Sequence, residues 1–380
     1  MHIADFKARY SSHFQEAGTF VFSPGRINII GEHTDYNGGF VLPAAINHAI
    51  YVGVSKRTDT KIVLYAEDFK AYFETDIHAL APTEIGWPNY ILGVVDQLIK
   101  RGYSLSGFNL YLDGDVPLGA GLSSSAAVEC ATGYALSELF ALNLGKMEIA
   151  QIGQLAEHTF AGVNCGIMDQ FASVFGKENE VVKLDCRSLA YEYVPFDITG
   201  HKIVLLNTNV KHSLGSTAYN TRREQCEAAV AAVKVKYPDV ALLRDVTVPM
   251  LGELVTDLEI YTKARFVIDE IARVTQACEA LRAGDLKKLG AYMYETHEGL
   301  SQAYEVSCPE LDFLVEVVKS KEAVLGARMM GGGFGGCTIN LVKEEEVAAL
   351  IEEVSTSYLT EFKKELTAYV VTPSPGTGKL

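Results

Sequence analysis

The chain has no C-x-x-C pair: its seven cysteines, at 130, 165, 186, 226, 278, 308 and 337, are odd in number and widely spaced. A disulfide framework and a zinc ribbon are both disfavoured, and buried free thiols in a reducing cytoplasm are the expectation. Runs rich in lysine and arginine are also missing, and 33 basic against 48 acidic side chains leave a formal charge of −15. A nucleic-acid surface needs clustered cations to displace counterions from phosphates, so nucleic acid is not an expected partner, nor is an anionic membrane. An anionic substrate would need a few local donors or a bound cation. No apolar run approaches the roughly 20 residues that span a bilayer. The opening "MHIADFKARYSSHFQEAG", with Asp5 and Glu16, does not read as a signal peptide. Repeats and low-complexity linkers are lacking as well.

What is present is ordinary globular material: 380 residues, 48% hydrophobic and 21% charged, enough for one large α/β unit or two domains. The first third reads mainly as strands, in "TFVFS", "FVLPAAINHAIYVGVS" and "KIVLYAED". In "GFNLYLDGDVP", Phe108, Leu110 and Leu112 alternate with Asn109, Tyr111 and Asp113. After Gly121 the period changes. Val128, Ala131, Ala135, Leu139 and Leu142 fall at helical spacing, and "KMEIAQIGQLAEHTFAG" is a second helix with Gly162 as its terminator. A further strand-and-helix cycle starts near residue 186, with "KIVLLNTNV", helices over about 220–235 and 261–304, and the strand "CTINLV". The boundary falls in 186–195, giving lobes 1–190 and 191–380, with the last strand of the second free to pack back on the first. The order is not a regular β-α-β alternation, so α+β is expected rather than a doubly wound sheet.

Chemistry is concentrated in a few passages. "PGRINIIGEHTDYNGG", Pro24 to Gly39, sets Arg26, Asn28, Glu32, His33, Asp35, Tyr36 and Asn37 among four glycines. By itself it admits a metal site, part of a hydrolytic triad, or a cradle for something rich in hydroxyls. A metal site needs more than Glu32, His33 and Asp35, and no second histidine stands nearby at i+3 or i+4. A triad needs an activated nucleophile, and no G-x-S-x-G elbow occurs.

In "DVPLGAGLSSSAAVECA" a strand ends, Gly119 and Gly121 open the backbone, and Ser123, Ser124 and Ser125 precede a helix of small residues. Such a helix start offers free N–H groups, the positive end of a dipole, and hydroxyls for phosphate oxygens or a magnesium ion. The plainer alternative is a serine N-cap, for which one serine would suffice. It is not a P-loop, since no G-x-x-x-x-G-K-[ST] occurs. The terminal "GTGKL" follows two prolines, lacks the Ser/Thr, and reads as a frayed tail.

In "GARMMGGGFGGCTINLV", Gly331, Gly333 and Gly336 satisfy G-x-G-x-x-G but precede a strand, so a dinucleotide site is rejected. A loop whose backbone approaches something closely is favoured over a simple strand-to-strand turn. "AEHTFAGVNCGIMDQFASVFG" carries Glu157, and then Asp169 and Gln170 among Ile167, Met168 and Phe171. An aspartate in such company is either the partner of a cation or a functional carboxylate. Arg26, flanked by Ile27, Ile29 and Ile30, is the candidate partner.

Together these passages resemble the GHMP kinase family and, within it, its galactokinases. "GRINIIGEHTDYNGGFVLP" is similar to the galactokinase signature, "PLGAGLSSSAAVE" to the shared phosphate loop, and "GGGFGGC" to the third GHMP motif. "AEHTFAGVNCGIMDQF" matches too, and the resemblance runs from about residue 19 to beyond 340. It implies a two-lobed α+β protein with its site in the cleft between lobes, moving the γ-phosphate of ATP to the anomeric hydroxyl of α-D-galactose. Asp169 would lie by that hydroxyl as base or orienting carboxylate, and Arg26 would pair with Asp169 and with the moving phosphoryl group. Glu32, His33 and Asp35, with the backbone of Gly166 and the Tyr219 hydroxyl, would hold the other sugar hydroxyls. Gly119, Gly121, Leu122, Ser123, Ser124 and Ser125 would wrap the phosphates, and Ser125 and Glu157 would hold Mg2+. Trp87 and Tyr90 would border the adenine, and the glycine loop from Gly331 would close over the sugar. Asn28, Tyr36 and Asn37 are left as residues that shape the turn. A monomer is expected.

Two alternatives share these motifs. One is a sister kinase acting on N-acetylgalactosamine or a related sugar; the other is a catalytically silent, sugar-binding regulator. The regulator is disfavoured because "SSSAA", Asp169 and Arg26 are all present and no extra interaction segment is visible.

Overall fold

The computed structural model describes residues 2–117, 119–210 and 215–380. It begins with a helix, Ile3–His13, that the sequence patterns did not single out. Its Phe6 and Tyr10, one turn apart, are buried with Tyr65 and Tyr111. This helix explains the strand Phe108–Gly114, whose residues Phe108 to Asp113 are all buried despite their apolar–polar alternation. Phe108, Leu110 and Leu112 enter the main core, while Tyr111 packs on the other side against the helix.

The first sheet has six strands in the order Gly378–Lys379, Thr19–Asn28, Pro43–Lys56, Phe108–Gly114, Lys61–Ala66 and Ala71–Asp76. Neighbours are antiparallel except for Lys61–Ala66, which runs parallel to Phe108–Gly114. The helix Ser124–Phe140 lies against this sheet, and its buried Ala126, Ala127, Ala131 and Ala135 let it sit close to Thr19–Asn28 and Pro43–Lys56. Helices Trp87–Lys100, Lys146–Ala156 and Met168–Phe175 surround it, so it is apolar nearly all round rather than along one stripe. A three-stranded sheet of Phe40–Val41, Glu180–Asp185 and Tyr191–Pro195 completes this half.

The second half is built on an antiparallel sheet ordered Val324–Met329, Cys337–Lys343, His201–Asn207 and Thr367–Val371. Leu314, Val318, Val354 and Tyr358, from helices Pro309–Lys319 and Val347–Phe362, cover one face. On the other, Ile203, Leu205, Ile339 and Leu341 join the same continuous core as the first sheet. The architecture is α+β, as expected. The helix expected over 220–235 runs Gly215–Lys234, and the tract expected over 261–304 is divided into Leu258–Arg282, Leu286–Glu298 and a wide turn at Gly299–Ala303. The break is chemical: the chain reverses hand at Gly284, and the Asp285 carboxylate then caps the next helix at the Lys288 N–H.

The final residues correct the reading of "GTGKL" as a frayed tail. Gly378 and Lys379 pair with Phe22 and Val21, and the Leu380 N–H donates to the Phe20 carbonyl at 3.0 Å. Thr377 shares a buried hydroxyl contact of 2.8 Å with Ser23 and donates to the Ser173 carbonyl at 2.9 Å. Backbone pairing of a glycine-rich segment leaves no side-chain period to read, which is why the strand was invisible in the sequence.

Candidate active site

A cavity of about 310 Å³ opens at the seam between the two halves. It is walled by Arg26, Glu32, His33 and Asp35, by Glu157, Gly166 and Asp169, by Tyr219, and by the loop Gly331 to Phe334. A second cavity, of about 90 Å³, is lined by Trp87, Tyr90, Ser124 and Ser125 together with Asp68 and Phe69. Phe69 and Trp87 stack with an interplanar angle of 12°. Glu157 walls the first cavity and Ser125 lines the second.

Arg26 and Asp169 are partners. The Arg26 Nε and Nη2 donate to the two oxygens of Asp169, each at 2.8 Å, in the planar two-bond geometry that suits guanidinium and carboxylate. Nη1 donates to the Gly121 carbonyl at 2.5 Å, and the Arg26 N–H donates to the Leu122 carbonyl at 3.1 Å. The first passage is thereby stitched to the serine loop. Burial opposes the Arg26 charge, but Asp169 and Glu32 outweigh it and the pKa is raised.

Ser123 also donates to Asp169. It sits in the left-handed region, φ +58, at the start of Ser124–Phe140 and makes no capping bond, so the N-cap reading fails. Gly119 and Gly121 both have φ +74. The Leu122 side chain is buried in the core, leaving only its backbone to the loop; Leu118, within the same passage, lies outside the described residues.

Glu32 is fixed from behind. Its Oε1 accepts from Arg328 Nη2 at 3.0 Å and from the Gly331 N–H at 2.9 Å. Arg328 is fully buried, and its remaining donors reach the carbonyls of Ile29 at 2.8 Å, Met329 at 2.6 Å and Asn28. Sequence reasoning missed it, although an arginine inside "VLGARMM" is the same signal that marked Arg26. Asp35 lies against Gly166, where a Cβ would come within 1.9 Å of Oδ2. Burial, with smaller contributions from Asp169 and Glu32, pushes the Asp35 pKa up to about 6.

His33 is held with φ +61, and burial lowers its pKa to about 4. Its Nδ1 is 2.8 Å from the Tyr36 hydroxyl. Tyr36 is therefore not merely a turn residue: its ring turns inward to His33. Asn37 does shape the turn, donating to the His33 carbonyl at 3.0 Å. The Tyr219 ring lies 5.3 Å from that of His33.

Behind Asp169, Gln170 Nε2 donates to Glu157 Oε2 at 2.8 Å and to Glu129 Oε2 at 3.0 Å. Burial raises the pKa of both glutamates, and the remaining oxygen of Glu129 is buried without a partner. Glu129 was not anticipated either. Among the described residues, no three His, Cys, Asp or Glu side chains are grouped to hold a metal by themselves. The all-oxygen pair of Ser125 and Glu157 nonetheless suits magnesium, which takes one or two protein ligands and completes its shell with water and phosphate oxygens. The glycine loop joins the antiparallel strands Val324–Met329 and Cys337–Lys343, so it is a strand-to-strand connection as well as a cavity wall. At Gly333, φ +88, a Cβ would come within 2.1 Å of the Val306 carbonyl.

Residues 89–177 match the GHMP kinases N terminal domain and residues 277–359 the GHMP kinases C terminal, so the class that fold and site define is that of the GHMP kinases. Residues 4–56 match the galactokinase galactose-binding signature. The galactokinase of Thermotoga neapolitana is 42% identical over 361 residues, 95% of this chain and 99% of that one. That of Clostridium acetobutylicum is 40% identical over 381 residues, 99% of this chain and 97% of that one. The crystal structure of Lactococcus lactis galactokinase complexed with galactose has a TM-score of 0.96 at 36% identity, covering 100% of both chains. Methanococcus jannaschii mevalonate kinase, at 19% identity over 95% of this chain and 100% of that one, shares the fold with a TM-score of 0.70. The chain belongs to the galactokinase family.

Proposed function

We propose that the protein transfers the γ-phosphoryl group of ATP to the anomeric hydroxyl of α-D-galactose, giving α-D-galactose 1-phosphate and ADP. The observation that carries this reading is the Arg26–Asp169 pair, set where a polar cavity meets the serine loop. The galactose-binding signature at residues 4–56 supports the choice of sugar.

The chemistry follows from the positions. Phosphoryl transfer has a loose transition state, so alignment of the groups and neutralisation of charge do most of the work. Asp169, restrained by Arg26 and Ser123, faces the reacting hydroxyl as base or orienting carboxylate. Arg26 stands beside it to meet charge on the moving phosphoryl group. The serine loop cradles the phosphates, and the aromatic pocket of Phe69, Trp87 and Tyr90 takes the base. Ser125 and Glu157 would hold Mg2+, which when bound neutralises charge on the phosphates.

The sugar cavity presents more carboxylates than cations, through Glu32, Asp35, Glu157 and Asp169 against Arg26. That balance suits a neutral polyol, whose hydroxyls donate to carboxylates, and not a bare anion. An epimer that leaves a buried carboxylate unpaired forfeits its hydrogen bond and strands the group, which is how one axial hydroxyl is selected. All seven cysteines are free, which fits a reducing cytoplasm, and no helix among the described residues is long and apolar enough to cross a membrane.

Steady-state kinetics with galactose, 2-deoxygalactose, N-acetylgalactosamine and glucose test the assignment. Galactose should have the highest kcat/KM, and glucose should be poor. Glucose turning over as well as galactose would overturn the account of hydroxyl selection, and a preference for N-acetylgalactosamine would reassign the substrate.

A further inference from the structure

We propose that Tyr36, Tyr304 and Cys226 form a directed hydrogen-bond chain that fixes the tautomer of His33, presenting Nε2–H to the cavity as a donor to a sugar oxygen. The inference rests on the reading of this cavity as a sugar site. The His33 Nδ1 is 2.8 Å from the Tyr36 hydroxyl, that hydroxyl is 2.8 Å from the Tyr304 hydroxyl, and the latter is 3.3 Å from the Cys226 Sγ. His33, Tyr304 and Cys226 are all buried. Arg222 Nε donates to the Tyr304 carbonyl at 2.6 Å and so anchors the residue that carries the middle hydroxyl. The other end of the imidazole, Nε2, is buried with no partner at hydrogen-bonding geometry, and the Gly332 backbone, which acts on the ring to favour its protonated form, stands in the same cavity wall.

The direction of the chain follows from the donors and acceptors. In one direction Cys226 donates to Tyr304, Tyr304 to Tyr36, and Tyr36 to the lone pair of His33 Nδ1. In the other, His33 Nδ1–H starts the chain, and it ends with a phenol donating to sulfur. The middle bond is the same in both. The first arrangement gives the phenol O–H an imidazole nitrogen, the strongest acceptor present; the second gives it a thiol sulfur, a weak one. The first therefore wins. Burial keeps the ring neutral near pH 7, so the single ring proton resides on Nε2. Glu32 and Asp35 then accept from the sugar while His33 donates to it, matching a polyol whose oxygens need both kinds of partner.

Tyr36 and Tyr304 are positioning residues in this scheme, and the tautomer itself is the readout. In full-length protein labelled with 15N-histidine, with His33 assigned through His33→Gln, Nδ1 should give the signal of an unprotonated ring nitrogen and Nε2 that of a protonated one. Galactose should shift the Nε2 signal. Tyr36→Phe keeps the ring but removes the donor, so both tautomers should become populated. The galactose KM should rise roughly three- to tenfold, with the ATP KM unchanged. Tyr304→Phe, one link further away, should move both readouts the same way but less. A protonated Nδ1 in the unaltered protein, an Nε2 signal that galactose leaves in place, or a Tyr36→Phe variant with unchanged tautomer would each overturn the proposal. Failure of the unaltered protein to phosphorylate galactose, with Nδ1 unprotonated, would instead count against the sugar-kinase reading.

Discussion

Asp169 and Asp35 show how two carboxylates in one cavity come to differ. Asp169 is paired at 2.8 Å with Arg26, whereas Asp35 sits half-buried near like charges with its pKa near 6. Asp169→Asn should lower kcat by about 100- to 10,000-fold while leaving nucleotide affinity nearly intact, as checked by rapid-quench turnover and ATP titration. Near-normal turnover would remove Asp169 from the mechanism. Asp35 makes a different prediction. Its folded pKa lies above the ordinary 3.8, so its ionised form costs stability above about pH 6, and that cost fades as pH falls from 6 toward 3.8. Asp35→Asn should accordingly raise Tm at pH 7.5 while weakening galactose binding, and in the unaltered protein the galactose KM should climb as pH drops below about 6. Arg26 and Asp169 were legible in the sequence because each is a charge among apolar neighbours. Arg328 carries the same mark, but its partner Glu32 is 296 positions away, and only the fold brings them together.

At the scale of elements, close approach decides more than propensity. The loop that leads into the Asp169 helix comes so near Asp35 that a Cβ on Gly166 would overlap its carboxylate. Gly166→Ala should therefore displace Asp35 and cut kcat/KM for galactose by roughly 100-fold, with the ATP KM little changed. Equal losses for both substrates would mean that the loop, and not the sugar contact, had been damaged. The serine-led helix, most strands of the first third and the terminator Gly162 were readable, because each has a period or a breaker, whereas the edge strand Ala71–Asp76 was not singled out. The helix Ile3–His13 was not: its N-cap, His2, makes no side-chain cap bond, and only two of its residues are buried. The long tract to Tyr304 looked continuous because a single glycine turn carries little weight against two helical stretches in phase.

For the whole molecule, the two halves share one core, and the chain end closes the first sheet. Thr377 is the clasp, joined to Ser23 and to the Ser173 carbonyl. Thr377→Val keeps the shape but strands those groups, and should cost about 1–3 kcal/mol in denaturant unfolding without altering the KM of either substrate. An unchanged unfolding midpoint would return this segment to the status of a loose tail. Along the seam of this shared core the serine loop touches Asp169 through Ser123 and lines the aromatic pocket with Ser124 and Ser125, and the proposal is that both cavities serve one reaction. Phosphorus NMR of the full-length protein with ATP, Mg2+ and galactose tests it most directly. ADP and an α-linked anomeric sugar phosphate should accumulate in equal amounts, with production lost in Asp169→Asn. Binding of both ligands with ATP left intact, or a phosphate attached at any other hydroxyl, would contradict it.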